Sequence, residues 1–219
     1  MLTVICSLSD EKIYNQMLLL SLKRTDEILS FIGLPPLDIV TVSGNESIFR
    51  NYNLGISRAR YPIKAFIHQD VDLLHPSWVF KLIGAFASYP KAGLIGFVGT
   101  SKLLDRGMWW ESGREYIYGE VFSGLERANW IFNVSDSPVD AQCVDGLFMA
   151  TNRDIPWDSS LKGFHCYDID YSREFLQRGL EIKIISHKAW HIGAIRDGKP
   201  DMEQFYAKWE NNRKCKGVI

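Results

Sequence analysis

Two carboxylates and an imidazole follow an apolar run in the stretch AFIHQDVDLLHP, residues 65–76. Residues 65–67 have the character of a buried strand, and His68, Asp70 and Asp72 come directly after it. Polar groups at this point either form a turn that ends the strand or hold a divalent cation, for which carboxylate oxygens are suitable ligands. The stretch taken alone favours neither interpretation.

A second group of ionisable residues lies in the last third of the chain. HCYDIDYSRE places Asp168 and Asp170 at the start of a predicted helix, and AWHIG places His191 after the next predicted strand. Two positions along a helix correspond to about 200° around its axis, so the two aspartates cannot both face one cleft. Carboxylates after one strand and a histidine after another are typical of a metal site on an α/β sheet, which favours the metal interpretation.

Hydrophobic periodicity predicts the elements that must position these residues. In the first half it predicts three helices, which begin after Asp10, span 47–60 and begin at Pro76, with strands at 2–8, 38–44, 63–67 and 92–99. The last strand is apolar almost throughout, which is typical of a strand covered on both faces. This alternation predicts a three-layer α/β domain with right-handed crossovers.

The second half has a different character. Residues 100–142 are polar and aromatic with weak periodicity, and we expect short strands and long loops there. A strand at 141–154 is predicted to reach the main sheet. A helix at 167–179, a strand at 180–186 and a final helix from residue 201 complete the chain.

Composition limits the classes of function. The chain has 219 residues, of which 46% are hydrophobic and 23% charged, as in an ordinary globular domain. Its net charge of −1 predicts no nucleic-acid partner. We expect no membrane span, because no run reaches the ~20 apolar residues required. The scattered cysteines contain no C-x-x-C pair and fit a reducing, cytoplasmic compartment. A phosphate loop, a dinucleotide fingerprint and a nucleophile elbow are all missing from the sequence.

Three longer stretches resemble the family 2 glycosyltransferases. They are NYNLGISRARYPIKAFIHQDVDLLHPSW, VDGLFMATNRD with GFHCYDIDYSREFLQRGLEIKII, and AWHIG. The resemblance implies the GT-A fold of nucleotide-diphospho-sugar transferases: three α/β/α layers, a mostly parallel sheet and a small acceptor-side subregion. It implies one domain over 1–219, with a nucleotide-sugar-binding half at 1–99 and an acceptor and catalytic half at 100–219.

The resemblance also implies a donor site with a metal. Ser7 and Ser43 would line the base and ribose pocket, and Asn53 would help to hold the nucleotide. Asp70 and His191 would ligate the Mn²⁺ or Mg²⁺ that bridges the diphosphate of a UDP- or dTDP-linked sugar.

The implied reaction inverts the anomeric centre of the sugar. Asp168 matches the family's general base, which would deprotonate the acceptor hydroxyl as its oxygen attacks the anomeric carbon. The acceptor would be a saccharide or a lipid-linked molecule, as in polysaccharide biosynthesis. Peripheral association with the inner face of the membrane is compatible with this role.

Two positions depart from the family pattern. The first Asp of the family's D-x-D falls on His68, and the Glu of its E-D pair falls on Tyr167. A shift of one residue would instead make Asp70 and Asp72 the D-x-D. Either His68, as a ligand or a ribose contact, or Asp72 is therefore the partner of Asp70. The departures keep open a non-catalytic sugar-nucleotide-binding protein, and a metal-dependent nucleotidyltransferase or pyrophosphatase is a further alternative.

Residues 100–135 would form the acceptor side. Trp109 and Trp110 either stack on a sugar ring or fill the core of a small subdomain. Trp157 and His165, just before the catalytic helix, and Asp170 on it are further acceptor-side candidates.

Overall fold

The chain alternates strands and helices for its first hundred residues and then adds short strands. The computed structural model describes residues 1–44, 46–104, 107–193 and 203–215. The strands in this part are β1 (Leu2–Ser7), β2 (Asp38–Val42), β3 (Ile63–Ile67), β4 (Val71–Asp72), β5 (Ala92–Gly96), β6 (Gly99–Thr100), β7 (Ile117–Tyr118), β8 (Glu120–Ser123), β9 (Ala128–Ile131), β10 (Val139–Ala141), β11 (Cys143–Val144), β12 (Phe148–Thr151), β13 (Glu181–Ile184) and β14 (Lys188–His191). The helices are α1 (Glu11–Gln16), α2 (Leu18–Phe31), α3 (Ile48–Arg58), α4 (Trp78–Ser88), α5 (Tyr167–Gln177) and α6 (Glu203–Cys215), with 3₁₀ turns at Trp109–Glu111 and Arg114–Tyr116.

Seven strands form the main sheet in the order β10-β13-β5-β12-β3-β1-β2. β1 is parallel to β2 and β3, and β5 is parallel to β13. β12 is antiparallel to β3 and β5, and β10 is antiparallel to β13. Five strands therefore run in one direction and two oppose them, so the predicted mostly parallel sheet is confirmed. The strand predicted at 141–154 joins the main sheet as β12. The sheet therefore contains strands from both halves of the chain, 1–99 and 100–219.

Alternate side chains of the central strands face two separate apolar clusters. In β1, Val4 and Cys6 pack into one cluster and Ile5 into the other. The first cluster includes residues of α2 and α4, and the second includes residues of α3 and α5. The sheet is therefore covered on both faces, and the predicted three-layer architecture is confirmed. α3 packs very close to β1, since a Cβ at Gly55 would lie 2.2 Å from Cγ2 of Ile5.

Two small sheets complete the fold at the carboxyl end of β3. One has the order β4-β14-β8-β9 and the other β11-β6-β7. They contain the short strands expected within 100–142. Of the helices described, none combines the length and apolar character that a membrane span requires.

Candidate active site

Three side chains from distant parts of the sequence form a cluster that could hold a metal ion. His68 and Asp70 follow β3, and His191 ends β14. The Nε2 atom of His191 lies 3.4 Å from Oδ1 of Asp70 and 3.3 Å from Nδ1 of His68. Metal–ligand bonds of about 2.1 Å at tetrahedral to octahedral angles separate neighbouring donor atoms by roughly 3.0–3.4 Å. Both separations fit a shared divalent cation, and the donor atoms of all three side chains lie within 4.8 Å of one another.

Backbone pairing holds the cluster together. β4 and β14 are antiparallel, with His191 opposite Val71. The backbone N–H of Ile192 donates to the carbonyl of Asp70 at 3.1 Å, and the N–H of Gly193 donates to Oδ2 of Asp70 at 3.1 Å. Asp70 is 6% exposed. The ladder thus brings His191 to the end of β3 and fixes the orientation of the Asp70 carboxylate.

The electrostatics of the cluster favour positive charge. Burial alone lowers the pKa of His191, but the hydrogen bond and charge of Asp70, with the charge of Asp145, outweigh it and leave the pKa raised. Carboxylates that stabilise an imidazolium also stabilise a cation at the same place.

Asp72 lies outside this cluster. Its carboxylate bonds to the guanidinium of Arg24 and accepts a 2.8 Å hydrogen bond from the backbone N–H of Leu74. Within the part of the chain that the structure describes, the metal-compatible group consists of His68, Asp70 and His191. The turn thus directs the carboxylate of Asp72 to α2, and His68 is the neighbour of Asp70 in this group; the role of Asp72 as a metal ligand stays a prediction.

A buried carboxylate lies beside the cluster, at the start of α5. Oδ2 of Asp168 accepts a 3.2 Å hydrogen bond from Nε1 of Trp109, and its Oδ1 accepts one of 2.9 Å from the backbone N–H of Ile169. Burial and then the charge of Asp145 raise the pKa of Asp168 to about 7, against the opposing hydrogen bonds from Ile169, Gly146 and Trp109. A carboxyl group with this pKa can act as a general base near neutral pH.

Asp145 is a residue that the sequence reasoning missed. It follows β11, and its Oδ1 accepts a 2.7 Å hydrogen bond from the backbone N–H of Leu147. Burial raises the pKa of Asp145, the charge of His191 lowers it, and the charge of Asp70 raises it. Asp145 thus interacts electrostatically with the cluster of His68, Asp70 and His191 and with Asp168. Its signal in the sequence was a lone charge within the apolar run 141–150.

Two adjoining clefts meet at His68 and Phe164. One, of about 110 Å³, is also lined by Ser7, Ile48, Gln69, Asp70 and His191. The other, of about 220 Å³, is also lined by Trp109, Trp110, Asp145, Gly146, His165, Cys166, Tyr167 and Asp168. The cluster of His68, Asp70 and His191 therefore borders the first cleft, and Asp168 borders the second. His68 lines both clefts.

The predicted donor-side residues separate into two groups. Ser7 lines the first cleft, and its hydroxyl accepts a 2.8 Å hydrogen bond from the buried amide of Asn51. Ser43 is exposed and is not among the residues that line this cleft.

Asn53 does not reach the first cleft through its amide. Its Nδ2 donates to the carbonyl of Trp157 at 2.8 Å, and its Oδ1 accepts from the N–H of Trp157 at 2.9 Å. The amide of Asn53 therefore fastens α3 to the loop at Trp157, and its contact with a nucleotide stays a prediction. Asn51 faces the site instead. It lies on the buried stripe with Ile48, Tyr52 and Gly55, at i, i+3, i+4 and i+7.

Two predicted acceptor-side residues belong to the interior. Trp157 is 2% exposed and stacks on Tyr171 with ring centroids 3.6 Å apart. Asp170 is fully buried and accepts hydrogen bonds of 2.7 Å from Lys208 and 3.0 Å from Trp209 on α6. The structure thus places Trp157 in the core and Asp170 against α6, on the side of α5 away from Asp168, so it does not bring these two residues to the second cleft.

The other acceptor-side candidates meet at the second cleft. Trp109 is partly buried against Asp168, whereas Trp110 is 49% exposed and His165 is also exposed. The two indoles are perpendicular, with centroids 5.9 Å apart. Trp110 is therefore half-exposed in the cleft that the candidate base borders.

Comparisons with known proteins identify the family of the chain. A sequence model described as "Glycosyltransferase like family" matches residues 3–216. No curated protein sequence matches the chain. Among solved structures, the crystal structure of A197 from STIV is similar with a TM-score of 0.48 and 12% identity, over 87% of this chain and 84% of that one. Because the family match spans almost all of its residues, the chain belongs to the glycosyltransferase-like family and is a glycosyltransferase.

Proposed function

We propose that the protein is an inverting, metal-dependent glycosyltransferase that uses a nucleotide-diphosphate sugar. The observation that carries this proposal is the position of His68. The cluster of His68, Asp70 and His191 borders one cleft, and Asp168, a carboxyl group with a pKa of about 7, borders the adjoining cleft. A nucleotide-sugar transferase needs an electrophilic site and a base arranged next to each other in this way.

The first cleft would receive the donor. Ser7 and the Asn51 amide that bonds it lie at the carboxyl end of β1, where a parallel sheet binds ligands, and would contact the base and ribose. His68, Asp70 and His191 would hold Mn²⁺ or Mg²⁺, which neutralises charge on the departing diphosphate when bound. A UDP- or dTDP-linked sugar is the donor class that we propose.

Asp168 would perform the proton transfer. Its carboxylate takes the proton of an acceptor hydroxyl while that oxygen forms a bond to the anomeric carbon. The bond from this carbon to the diphosphate breaks, and its electron pair leaves with the nucleoside diphosphate. One displacement from the opposite face inverts the anomeric centre. Trp109 fixes the carboxylate through its hydrogen bond to Oδ2.

The second cleft would receive the acceptor. The exposed faces of Trp110 and His165 suit a sugar ring, because aromatic side chains pack against the apolar faces of saccharides. We propose a saccharide or lipid-linked acceptor, used in polysaccharide synthesis at the inner face of a membrane.

A panel of ligands tests the donor class directly. Thermal unfolding would be followed with UDP-, dTDP- and GDP-sugars, each with and without Mn²⁺. A donor present at 100 times its Kd stabilises the folded state by about 2.7 kcal/mol. We expect at least one nucleotide sugar to raise Tm only with Mn²⁺. No stabilisation by any of them would contradict the proposal, and so would binding without any turnover.

A further inference from the structure

The two positions that depart from the family pattern contact each other. The hydroxyl of Tyr167 forms a hydrogen bond with Nε2 of His68, and the two ring centroids are 5.9 Å apart. Tyr167 is the first residue of α5 and is 5% exposed. The bond therefore joins the helix that carries Asp168 to the residue that follows β3.

The backbone leaves room for this contact. A Cβ atom at Gly146 would lie 2.0 Å from the hydroxyl oxygen of Tyr167, so any larger residue would displace the phenol. The backbone N–H of Gly146 also hydrogen-bonds Asp168. The turn at Gly146 thus accommodates the Tyr167 hydroxyl and supports the neighbouring carboxylate.

The contact determines which nitrogen of His68 faces the cluster. Nε2 is engaged with Tyr167, and Nδ1 lies 3.3 Å from Nε2 of His191. An imidazole that ligates a metal through one nitrogen is protonated on the other, and the partner of that second nitrogen sets the tautomer and the ring orientation. Here the partner is a phenol, whose oxygen can accept a hydrogen bond from the Nε2–H group.

We propose that Tyr167 is a positioning residue that acts through His68, holding its ring so that Nδ1 completes a His–Asp–His metal set with Asp70 and His191. This inference rests on the proposed metal-dependent function and adds a residue to it. The contribution of His68 to metal binding then depends on Tyr167, because the histidine is an effective ligand only when the tyrosine orients it.

The donor set has a consequence for the choice of metal. Mg²⁺ prefers oxygen ligands, whereas imidazole is a ligand of the first-row transition metals, among which Mn²⁺ binds such sites more weakly than Zn²⁺. A site with two imidazoles and one carboxylate should therefore bind Mn²⁺ more tightly than Mg²⁺.

Tyr167→Phe tests the proposal, because it removes one hydroxyl and keeps the ring. Tyr52→Phe is a matched control: Tyr52 is fully buried, 6.0 Å from Tyr167 between ring centroids, and its hydroxyl has no hydrogen-bond partner among the described residues. Mn²⁺ affinity would be measured by the EPR signal of the free ion, without nucleotide. We expect Tyr167→Phe to weaken Mn²⁺ binding 10- to 100-fold, the effect typical of removing a partner of a ligating histidine, and Tyr52→Phe to leave it unchanged.

A double variant shows whether Tyr167 acts through His68. We expect His68→Ala to weaken Mn²⁺ binding and Tyr167→Phe to cause no further loss in that background, because coupled residues are not additive. Equal losses from Tyr167→Phe with and without His68 would overturn the inference. Wild-type Mn²⁺ affinity in Tyr167→Phe, together with loss of the ion in His68→Ala, would also overturn the inference. That result would leave the proposed metal dependence intact. Failure of the wild-type protein to bind Mn²⁺, with or without a nucleoside diphosphate, would overturn both proposals.

A measurement on the unsubstituted protein covers the case in which Tyr167→Phe does not fold. The ¹⁵N NMR shifts of His68 with Zn²⁺ distinguish the two ring nitrogens. We expect Nδ1 to be metal-bound and Nε2 to carry the proton. Metal on Nε2 would contradict the proposal.

Discussion

Nε1 of Trp109 donates a 3.2 Å hydrogen bond to Oδ2 of Asp168. The bond joins the aromatic region after β6 to the first turn of α5, although 59 positions separate the two residues. It orients the candidate base toward the second cleft. It also lowers the pKa of Asp168, against burial and the charge of Asp145, which raise it to about 7. The proposed base is therefore tuned by opposing neighbours, and each can be removed separately.

Replacing Trp109 by Phe should move the pH profile to higher pH. Transfer needs ionised Asp168, so kcat/KM of the wild-type protein should rise with pH through about 7. Loss of the indole N–H removes a group that lowers the pKa of Asp168, so the rise should occur at higher pH. The neighbouring Trp110→Phe is the control, because Trp110 makes no such bond, and its profile should keep the wild-type midpoint. An unchanged midpoint in Trp109→Phe would argue against Asp168 as the base.

Asp145→Asn should have the opposite effect. The charge of Asp145 is the second largest cause of the raised pKa of Asp168, after burial. Without that charge Asp168 ionises more readily, and the rise of kcat/KM should move to lower pH. The measurement is the midpoint of the rise, whatever the maximal rate. A shift to higher pH would show that the two carboxylates do not repel each other.

Asp70→Asn and Asp72→Asn should separate the two possible ligands. Asp70 lies 3.4 Å from His191, whereas the carboxylate of Asp72 bonds Arg24 and the N–H of Leu74. Titration calorimetry with Mn²⁺ should show at least tenfold weaker binding in Asp70→Asn and an affinity within about twofold of wild type in Asp72→Asn. Equal losses in the two variants would place Asp72 in the metal site.

Lys208→Met should destabilise the fold without affecting the metal. Lys208 pairs with Asp158, Asp170 and Glu174, and Asp170 is fully buried. Removal of the ammonium leaves a buried carboxylate without its charge partner, which typically costs about 3–5 kcal/mol. Urea unfolding measures the loss, and Mn²⁺ affinity should not change.

The control for this prediction is a surface ion pair. Lys188 pairs with Glu120 at 2.9 Å, but its side chain is 61% exposed. Lys188→Met should therefore change the free energy of unfolding by less than about 1 kcal/mol. Equal effects of the two substitutions would contradict the anchoring role of Lys208.

The sequence predicted most of the elements at which the site lies. The stretch at 63–67 became β3 with the predicted bounds, and four of its five residues are buried, as in a central strand covered on both faces. His68 and Asp70 follow β3 as expected, whereas His191 ends β14, a strand that the sequence did not predict, and the pairing of β14 with β4 brings the three residues together.

Side-chain direction was harder to predict, because it depends on partners that are distant in sequence. Arg24 on α2 decides where Asp72 points, and no local pattern shows this. Trp157 precedes α5, yet Tyr171 and residues of α3 enclose it. Asn51 was predictable, because it lies on the apolar stripe of α3 that Asn53 does not share.

The central claim is inverting transfer with Asp168 as the base, and hydrolysis of a bound donor tests it most directly. With Mn²⁺ and an α-linked nucleotide sugar that raises Tm, ³¹P NMR identifies the nucleotide released and ¹H NMR the first anomer formed. We predict a nucleoside diphosphate and the β-anomer, with the rate lowered about 10²- to 10⁴-fold in Asp168→Asn. Release of pyrophosphate or nucleoside monophosphate, a first-formed α-anomer, or an undiminished rate in Asp168→Asn would contradict the claim.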